Sequence, residues 1–283
     1  MPDLSNGSSV RTPAQIEEHY KVEKELANRL RNARKEERLI LYNELYDELY
    51  LRVPHHPRWD TKNNPELRKK AVSFEFNLLK RFLNNGSVFL EIGPGDCHLS
   101  SEVARIVKKV YAVDVSATAM SQAEKKHNLE LVISDGCSIP VPENSVDIAY
   151  SNQLMEHLHP EDAMEQLRNI SDSLNQKGLY ICRTPNRLYG PSDISGYFDE
   201  VATGFHLHEY TNIELENLFK RTGFSKIKTI LRIKKRFFLL PTEPAKLLEE
   251  MLFRIPRSKS KVIANNPIVK KLLGVFLIAY KSS

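Results

Sequence analysis

The sequence Val88-Phe-Leu-Glu-Ile-Gly-Pro-Gly-Asp96 joins a short apolar strand to a turn that contains two glycines. The run up to Ile92 is almost continuously apolar, which is typical of a strand that is buried on both faces of a parallel sheet. Gly93 and Gly95 lack a Cβ atom, so the backbone can turn sharply there and approach a ligand closely. The helix that follows directs its first amide groups at the same place. By itself the turn is a weak indication, because an ordinary strand-to-helix turn has the same composition.

Polar residues follow three further predicted strands, at the point where each strand ends. Asp114 follows the second strand, nineteen residues after Gly95, and an acid at about this spacing accepts hydrogen bonds from both ribose hydroxyls in Rossmann-type sheets. Asp135 follows the third strand, where an acid can meet an adenine amine, and Asn152 follows the fourth. These positions together favour a nucleotide-type site at the carboxyl edge of a parallel sheet.

In order and spacing, these segments resemble the motifs of class I S-adenosylmethionine-dependent methyltransferases. The resemblance covers roughly residues 74–223 and departs from the related glycine-rich pattern at Cys97, where a third glycine is expected. That glycine mainly allows close packing of helix and strand, so the departure concerns packing more than ligand contact. The matching segments are Glu91-Ile-Gly-Pro-Gly95, Asp114, Ser134-Asp-Gly136 and Ser151-Asn-Gln-Leu-Met-Glu-His-Leu158.

The resemblance implies an α/β fold with a Rossmann-like, seven-stranded mixed sheet, whose last strand is antiparallel and whose faces carry helices. It implies an N-terminal helical cap over residues 1–70 and a cofactor-binding domain over residues 71–283. A long loop at about residues 186–210 is predicted to be a substrate lid, since loops of this length inside a compact domain are commonly functional. A helical insertion at about residues 237–270 is predicted between the last two strands, Lys226–Arg232 and Val275–Tyr280.

The cofactor implied by the resemblance is S-adenosyl-L-methionine. Glu91 is expected to receive the methionine amine, Asp114 the ribose and Asp135 the adenine, with no pyrophosphate at the glycine turn. The implied cofactor-binding residues are Glu91, Gly93, Pro94, Gly95, Asp114, Val115, Asp135, Gly136 and Asn152.

The implied reaction is in-line displacement of a sulfonium methyl group, in which holding the reactants in line can contribute roughly 7–11 kcal/mol. An acceptor hydroxyl must also lose a proton, and histidine suits that task near neutral pH. His157 is the first candidate for the base, with a structural role as its alternative, and His206 and His208 are further catalytic candidates. Their alternation points both side chains the same way if the segment is extended. No metal is expected, because no third ligand stands at a diagnostic spacing.

The N-terminal segment begins with Thr12-Pro-Ala-Gln15, a capping box that predicts helix over most of residues 13–51. Tyr42, Tyr46 and Tyr50 recur every four residues and therefore share one helical face. Such a stripe is more often packing, and its functional alternative is an aromatic wall that closes over a substrate.

Composition and charge bear on the binding partners and on the cellular compartment of the protein. The 283 residues carry a net charge of +5, and the part from Lys226 onward has 14 Lys and Arg against three Glu, a net of +11, which leaves −6 before it. A solvated basic surface, an anionic substrate and peripheral contact with anionic lipid all remain open, whereas no specific nucleic acid is expected. Three dispersed cysteines without CxxC spacing, and an N-terminus without an apolar core, indicate a cytoplasmic protein.

The predicted function is transfer of a methyl group to a small-molecule acceptor, as an O-methylation of a sugar, lipid or secondary metabolite. The alternative is a non-catalytic protein with the cofactor fold, which binds a partner or an anionic membrane through its helical N-terminus and basic tail.

Overall fold

A computed structural model describes residues 11–57, 64–121, 123–234 and 236–282. Its centre is one eight-stranded sheet with the strand order β3-β2-β1-β4-β5-β8-β6-β7. The strands are β1 Val88–Ile92, β2 Lys109–Asp114, β3 Leu129–Ile133, β4 Val146–Asn152, β5 Leu174–Thr184, β6 Phe224–Ile233, β7 Arg236–Leu240 and β8 Val275–Lys281.

Helices cover both faces of this sheet and one of its ends. They are α1 Pro13–Asn32, α2 Lys35–Arg52, α3 Pro65–Leu79, α4 His98–Val103, α5 Ala117–Met120, α6 Pro160–Ser173, α7 Asn212–Arg221, α8 Glu243–Phe253, α9 Arg257–Ala264 and α10 Pro267–Leu273. Two short 3₁₀ turns, Met155–His157 and Ile194–Tyr197, lie in the loops after β4 and β5.

The predicted Rossmann-like mixed sheet is confirmed, and it has eight strands rather than seven. Strands β1 to β5 pair in parallel, whereas β8 pairs antiparallel with both β5 and β6. The additional strand β7 pairs with the outer side of β6. The chain winds from β1 to β2 and β3 on one side and to β4 and β5 on the other, so the strand order reverses at β1. In α/β sheets ligands bind outside the carboxyl ends of the strands at such a point.

The segment between β6 and β8 contains β7 and the three helices α8, α9 and α10. The predicted helical insertion is present, and its first helix α8 is amphipathic, since Leu252 is buried and Leu247 is 60% exposed. Both predicted final strands are present, as β6 and β8. Proline accounts for the starts of α8 and α10, because it occupies the first turn of each, where a helix needs no amide hydrogen.

The two N-terminal helices pack on the sheet and form part of its main core. The capping box at Thr12 and Gln15 is present, and α1 and α2 bury Leu26, Leu30, Leu45 and Leu49 at 0–1% exposure. These leucines belong to one cluster with residues of β1 and β4. Of the predicted cap over residues 1–70, residues 1–10 and 58–63 lie outside the described part of the chain.

A buried ion pair fastens α2 to α6. Nε–H of Arg38 donates a hydrogen bond to Asp162 Oδ2 at 2.6 Å, and Nη2–H donates to Oδ1 at 2.7 Å. The Tyr42 hydroxyl donates to the same Oδ2 atom at 2.8 Å. Both charged side chains are buried, at 4% and 0% exposure. Planar, two-point pairing of this kind is the geometry in which a buried ion pair is well satisfied.

Replacing Arg38 by alanine should therefore leave Asp162 buried without its cation and lower the free energy of unfolding by about 3–5 kcal/mol. Urea unfolding followed by circular dichroism measures the change. Arg29→Ala is the matched control, because Arg29 pairs with Glu48 at the surface and should cost less than about 1 kcal/mol. Equal losses in the two variants would contradict the assignment.

Candidate functional site

One cavity of about 650 Å³ opens at the carboxyl ends of β1 and β2, beneath the aromatic face of α2. Ligand pockets in proteins commonly measure about 300–1,000 Å³. The glycine turn after β1, the end of β2, the loop after β3, the 3₁₀ turn after β4 and α2 all contribute to its lining. Representative lining residues are Gly93, Gly95, Asp114, Gly136, Tyr46 and His157.

The glycine turn is tied to the end of β2. Gly93 and Gly95 have φ angles of +69° and +55°, a region that other residues rarely adopt. The Gly95 amide donates to Asp114 Oδ2 at 3.0 Å, and the Ser116 amide donates to Oδ1 at 3.0 Å. A carboxylate offers about four acceptor positions, so Asp114 can accept hydroxyl groups of a ligand in addition to these amides.

Neighbouring side chains leave little space for a Cβ atom at Gly93, in the glycine turn, and at Gly136, in the loop after β3. A Cβ atom on Gly93 would lie 3.1 Å from Cδ1 of Leu154, and one on Gly136 would lie 2.8 Å from the Tyr42 ring. Cys97, at the position of the expected third glycine, has φ +57° and is fully buried. This position keeps the left-handed conformation that favours glycine, and Cys97 is the residue immediately before α4.

Two carboxylates near the glycine turn have raised pKa values, and one of them, Glu91, is buried. Glu91 is 6% exposed, and its Oε2 accepts from the Ser100 hydroxyl at 2.5 Å. Burial, together with the nearby charges of Glu75 and Asp96, raises the pKa of Glu91 to about 8. Burial likewise raises the pKa of Glu75 to about 7, and Glu75 Oε1 accepts from Asn152 Nδ2 at 2.7 Å. Glu75, on α3, was not predicted, since nothing in its local sequence distinguishes it from a solvated helix residue.

Asn152 brings an unsatisfied acceptor to this pair of acids. Its Oδ1 is buried and has no hydrogen-bond partner in the described part of the chain. Buried polar atoms are nearly always paired in native proteins, so an orphaned oxygen indicates a missing donor. Two acids with raised pKa values beside an orphaned acceptor are electrostatically suited to a cationic, hydrogen-bonding ligand group.

The predicted cofactor-binding residues divide into two groups. Gly93, Gly95, Asp114, Val115 and Gly136 line the cavity, whereas Glu91, Pro94, Asp135 and Asn152 are not part of its lining.

Asp135 is engaged within its own turn. Its Oδ1 accepts from the amides of Cys137 at 2.9 Å and Ser138 at 2.7 Å. Burial disfavours its charge, but these hydrogen bonds outweigh burial and lower its pKa. Its neighbours Ser134 and Gly136 form the cavity wall at this point.

His157 lines the cavity with a defined tautomer. Its Nδ1 lies 3.1 Å from the carbonyl oxygen of Phe205. Because a carbonyl can only accept, Nδ1 carries the hydrogen, and Nε2 of the neutral ring is an acceptor. Burial is the largest influence on this ring and lowers its pKa, which keeps it neutral.

His206 stands beside His157, with ring centroids 5.0 Å apart. Burial disfavours its charged form, yet the hydrogen bond to Glu209 at 2.7 Å and the nearby carboxylates outweigh burial and raise its pKa. His208 contacts other groups, since its Nε2 lies 3.8 Å from Glu214 Oε2 and its ring packs on Tyr210. The segment is not a strand at either histidine, so the alternation expected for an extended chain does not apply.

A buried carboxylate completes the histidine cluster. Glu156 is 0% exposed; its Oε2 accepts from the Thr184 hydroxyl at 2.8 Å, and its Oε1 has no partner in the part of the chain that the structure describes. One ligand-type atom from each of Glu156, His157 and His206 lies within 4.8 Å of the others. Sequence spacing did not reveal this cluster, because only the fold brings His206 to the 3₁₀ turn that carries Glu156 and His157.

Helix α1 holds the loop that carries His206. Arg31 donates to the carbonyl oxygens of Thr203 at 2.8 Å, Gly204 at 2.6 Å and His206 at 3.1 Å. Glu23 Oε1 accepts from the Phe205 amide at 2.9 Å. Neither residue was predicted, since their partners lie more than 170 residues away in sequence. The Tyr46 ring stacks on Phe205 at 4.8 Å, which connects α2 to the same loop.

Comparison with known proteins agrees with this geometry. Residues 90–182 match the sequence model of the family described as "Methyltransferase domain". The chain is 29% identical over 137 residues to a probable S-adenosylmethionine-dependent methyltransferase of Mycobacterium tuberculosis, which covers 48% of this chain and 47% of that protein. It is 34% identical over 151 residues to an uncharacterized methyltransferase of Bacillus velezensis, covering 50% of this chain and 71% of that one.

A solved structure shows the same fold. It is a phosphoethanolamine N-methyltransferase of Haemonchus contortus in complex with phosphomonomethylethanolamine and S-adenosylhomocysteine. The TM-score is 0.50 at 18% identity, over 79% of this chain and 60% of that chain. The match to the M. tuberculosis protein spans about half of that protein's length.

The raised pKa of Glu91 predicts a pH dependence of stability in the ligand-free protein. The unfolded chain has a carboxyl pKa near 4.3, so the folded state binds the proton more tightly and loses stability as the pH rises from about 4.3 to about 8. Glu91→Gln should make the fall in unfolding free energy between pH 5 and pH 8 shallower, as measured by urea unfolding. Glu143→Gln, at an exposed position, is the control and should parallel the wild type. Parallel curves for all three proteins would refute the prediction.

Proposed function

The chain belongs to the class I S-adenosylmethionine-dependent methyltransferases, and we propose that it methylates a hydroxyl group of a small-molecule acceptor. The observation that carries this proposal is that one cavity combines the glycine turn and Asp114 with His157 and the aromatic face of α2. A candidate donor site and a candidate base therefore share one cavity.

The residues present fit S-adenosyl-L-methionine. The glycine turn is a cradle that a Cβ atom would fill, and Asp114 faces the cavity as a ribose ligand should. Glu91, Glu75 and the orphaned Asn152 Oδ1 suit the cationic amine of the methionine part. When bound, this cofactor supplies an electrophilic sulfonium methyl, whose bond to sulfur breaks as a bond to the acceptor oxygen forms, leaving S-adenosylhomocysteine.

His157 is proposed as the base that removes the proton of the acceptor hydroxyl. Its Nε2 is the atom that can accept, because Nδ1–H is committed to the Phe205 carbonyl. The lowered pKa keeps Nε2 unprotonated before the reaction. The Glu156 carboxylate then stabilises the imidazolium as it forms, whereas the charge of His206 disfavours it. His206, which is hydrogen-bonded to Glu209, packs against the His157 ring and helps to hold it in position.

The acceptor is proposed to lie against Tyr46 and Tyr50, which belong to the cavity lining. Aromatic side chains offer an apolar face and a polar hydroxyl, a combination that suits a sugar, a lipid headgroup or a ring of a secondary metabolite. The loop at residues 186–210 is proposed as the substrate lid, because it carries Phe205 and His206 to this side of the cavity.

The alternative of a non-catalytic binding protein is less well supported at the N-terminus. The apolar face of α1 and α2 is buried in the chain's own core and is not available to a partner. The basic insertion offers a different surface for contact with anionic lipid, and such contact is compatible with catalysis. Formation of S-adenosylhomocysteine in a screen of hydroxylated acceptors separates the two functions.

Asp114→Ala should weaken S-adenosylmethionine binding by about 10- to 100-fold, because hydrogen bonds to a charged acceptor contribute about 1.5–3 kcal/mol. Isothermal titration calorimetry measures the affinity. Asp114→Asn keeps one acceptor oxygen, so its affinity should lie between those of the wild type and Asp114→Ala. Asp172→Ala, at an exposed acid, is the control. An unchanged affinity in Asp114→Ala would remove the residue from the cofactor site.

His157→Ala should lower kcat for methyl transfer by about 10²- to 10⁴-fold while the cofactor affinity changes by only a few fold, as expected for loss of a general base. Transfer is measured as S-adenosylhomocysteine formed with an acceptor from the screen, and the exposed His127→Ala is the control. Wild-type turnover should survive dialysis against a chelator. Loss on chelation, with recovery on adding a divalent cation, would assign the cluster to a metal and contradict the role as base.

A further inference from the structure

The helices α8, α9 and α10 expose large apolar side chains that their own packing does not use. Leu247 and Met251 on α8 are 60% and 65% exposed, and Val262 on α9 and Ile268 on α10 are 76% and 72% exposed. Single exposed apolar residues are common on protein surfaces. Here they recur on three successive short helices, together with the half-exposed Phe253, and such a concentration indicates an interaction surface.

The same segment has only positive charge along most of its length. Residues 251–273 contain six Lys and Arg and no Asp or Glu. Five of the six are exposed, namely Arg254, Arg257, Lys259, Lys270 and Lys271. Within the described residues, only Arg257 among these six lies within 4.0 Å of a carboxylate, at 3.9 Å from Glu200. The surface is therefore both apolar and strongly basic.

The insertion is held firmly on the domain, so this exposure is not due to loose packing. Leu252, Ala264 and Leu273 form a small core with Leu188. Glu249, which is 0% exposed, accepts from Asn186 Nδ2 at 2.7 Å and from the Asn212 amide at 2.7 Å. The inner faces of the helices are thus fully used, and their outer faces remain.

The insertion packs at the same edge of the sheet as the cavity. Asn186 and Leu188 belong to the loop that leaves the carboxyl end of β5, and the cavity opens at the carboxyl ends of β1 and β2. Because β1, β2, β4 and β5 are parallel, these ends lie along one edge of the sheet. The basic, apolar surface is therefore attached to the edge of the molecule that carries the candidate site.

We propose that the outer face of α8, α9 and α10 binds the surface of an anionic lipid bilayer. Lipid headgroup phosphates meet the Lys and Arg side chains, while Met251, Val262 and Ile268 enter the boundary between headgroups and acyl chains. A nucleic acid would offer phosphates to the Lys and Arg side chains, but its backbone would not bury the exposed aliphatic side chains. No helix in the described residues has the length and apolar character to cross a bilayer, so the contact is peripheral.

The experiment is sedimentation of the full chain with vesicles of phosphatidylcholine alone or with 30% phosphatidylglycerol. The wild type should bind the anionic vesicles at least tenfold more tightly, and raising the salt to about 0.5 M should weaken that binding. Ile268→Asp and Lys270→Ala/Lys271→Ala should each reduce anionic-vesicle binding at least tenfold. Ile40→Asp and Lys69→Ala/Lys70→Ala, at exposed positions on α2 and α3, are matched controls and should bind as the wild type.

The proposal is overturned if the protein does not associate with anionic vesicles, or if the surface variants and the control variants associate equally. It is also overturned if the protein binds an RNA or DNA oligonucleotide but no vesicles. A dimer that the surface variants abolish, with no vesicle binding, would assign the surface to a second copy of the chain instead. Circular dichroism on the same samples shows that each variant is folded, and S-adenosylmethionine calorimetry is run on them in parallel. The calorimetry keeps the membrane proposal separate from the proposed function, because cofactor binding can fail or persist independently of vesicle binding.

Discussion

The hydrogen bond from the Gly95 amide to Asp114 links the two strand ends on which the site depends. It requires β1 and β2 to be parallel neighbours, so that their carboxyl ends meet, and it requires left-handed glycines so that the turn can fold back. Once this contact exists, the turn, the acid and the first amides of α4 have fixed relative positions. The other cavity walls, from the 3₁₀ turn and from α2, are arranged around that point.

Helices α1 and α2 position the second half of the site. Arg38 and Tyr42 attach α2 to α6 through Asp162, and Tyr42 also packs against Gly136. Arg31 and Glu23 attach α1 to the loop that carries Phe205 and His206. The N-terminal helices are thus structural parts of the cavity, which explains why their apolar face is buried even though the stretch is highly charged.

Local sequence predicted the elements whose signals are short in range. The structure contains the predicted strand and turn at residues 88–96, the acid at Asp114, the capping box at Thr12 and the final strand β8. Strand β7 was not predicted, since its pattern lies inside an insertion. The assignment of Asp135 to adenine stays a prediction, and in the structure its carboxylate caps its own turn. Glu75, Arg31 and Glu23 were not predicted, because each contacts residues distant in sequence.

The sequence by itself determined the fold class and placed the two turn glycines and Asp114 at the carboxyl ends of neighbouring strands, because strand periodicity and the left-handed turn are local properties. Only the tertiary structure decided which polar groups meet. Among the described residues, it brought His206 and Glu209 from the loop after β5 to His157 and left Glu156 Oε1 and Asn152 Oδ1 without a hydrogen-bond partner. It also left large apolar side chains exposed on α8, α9 and α10. Burial sets the charge states of these groups and depends on every element packed around them, so no short segment contains that information.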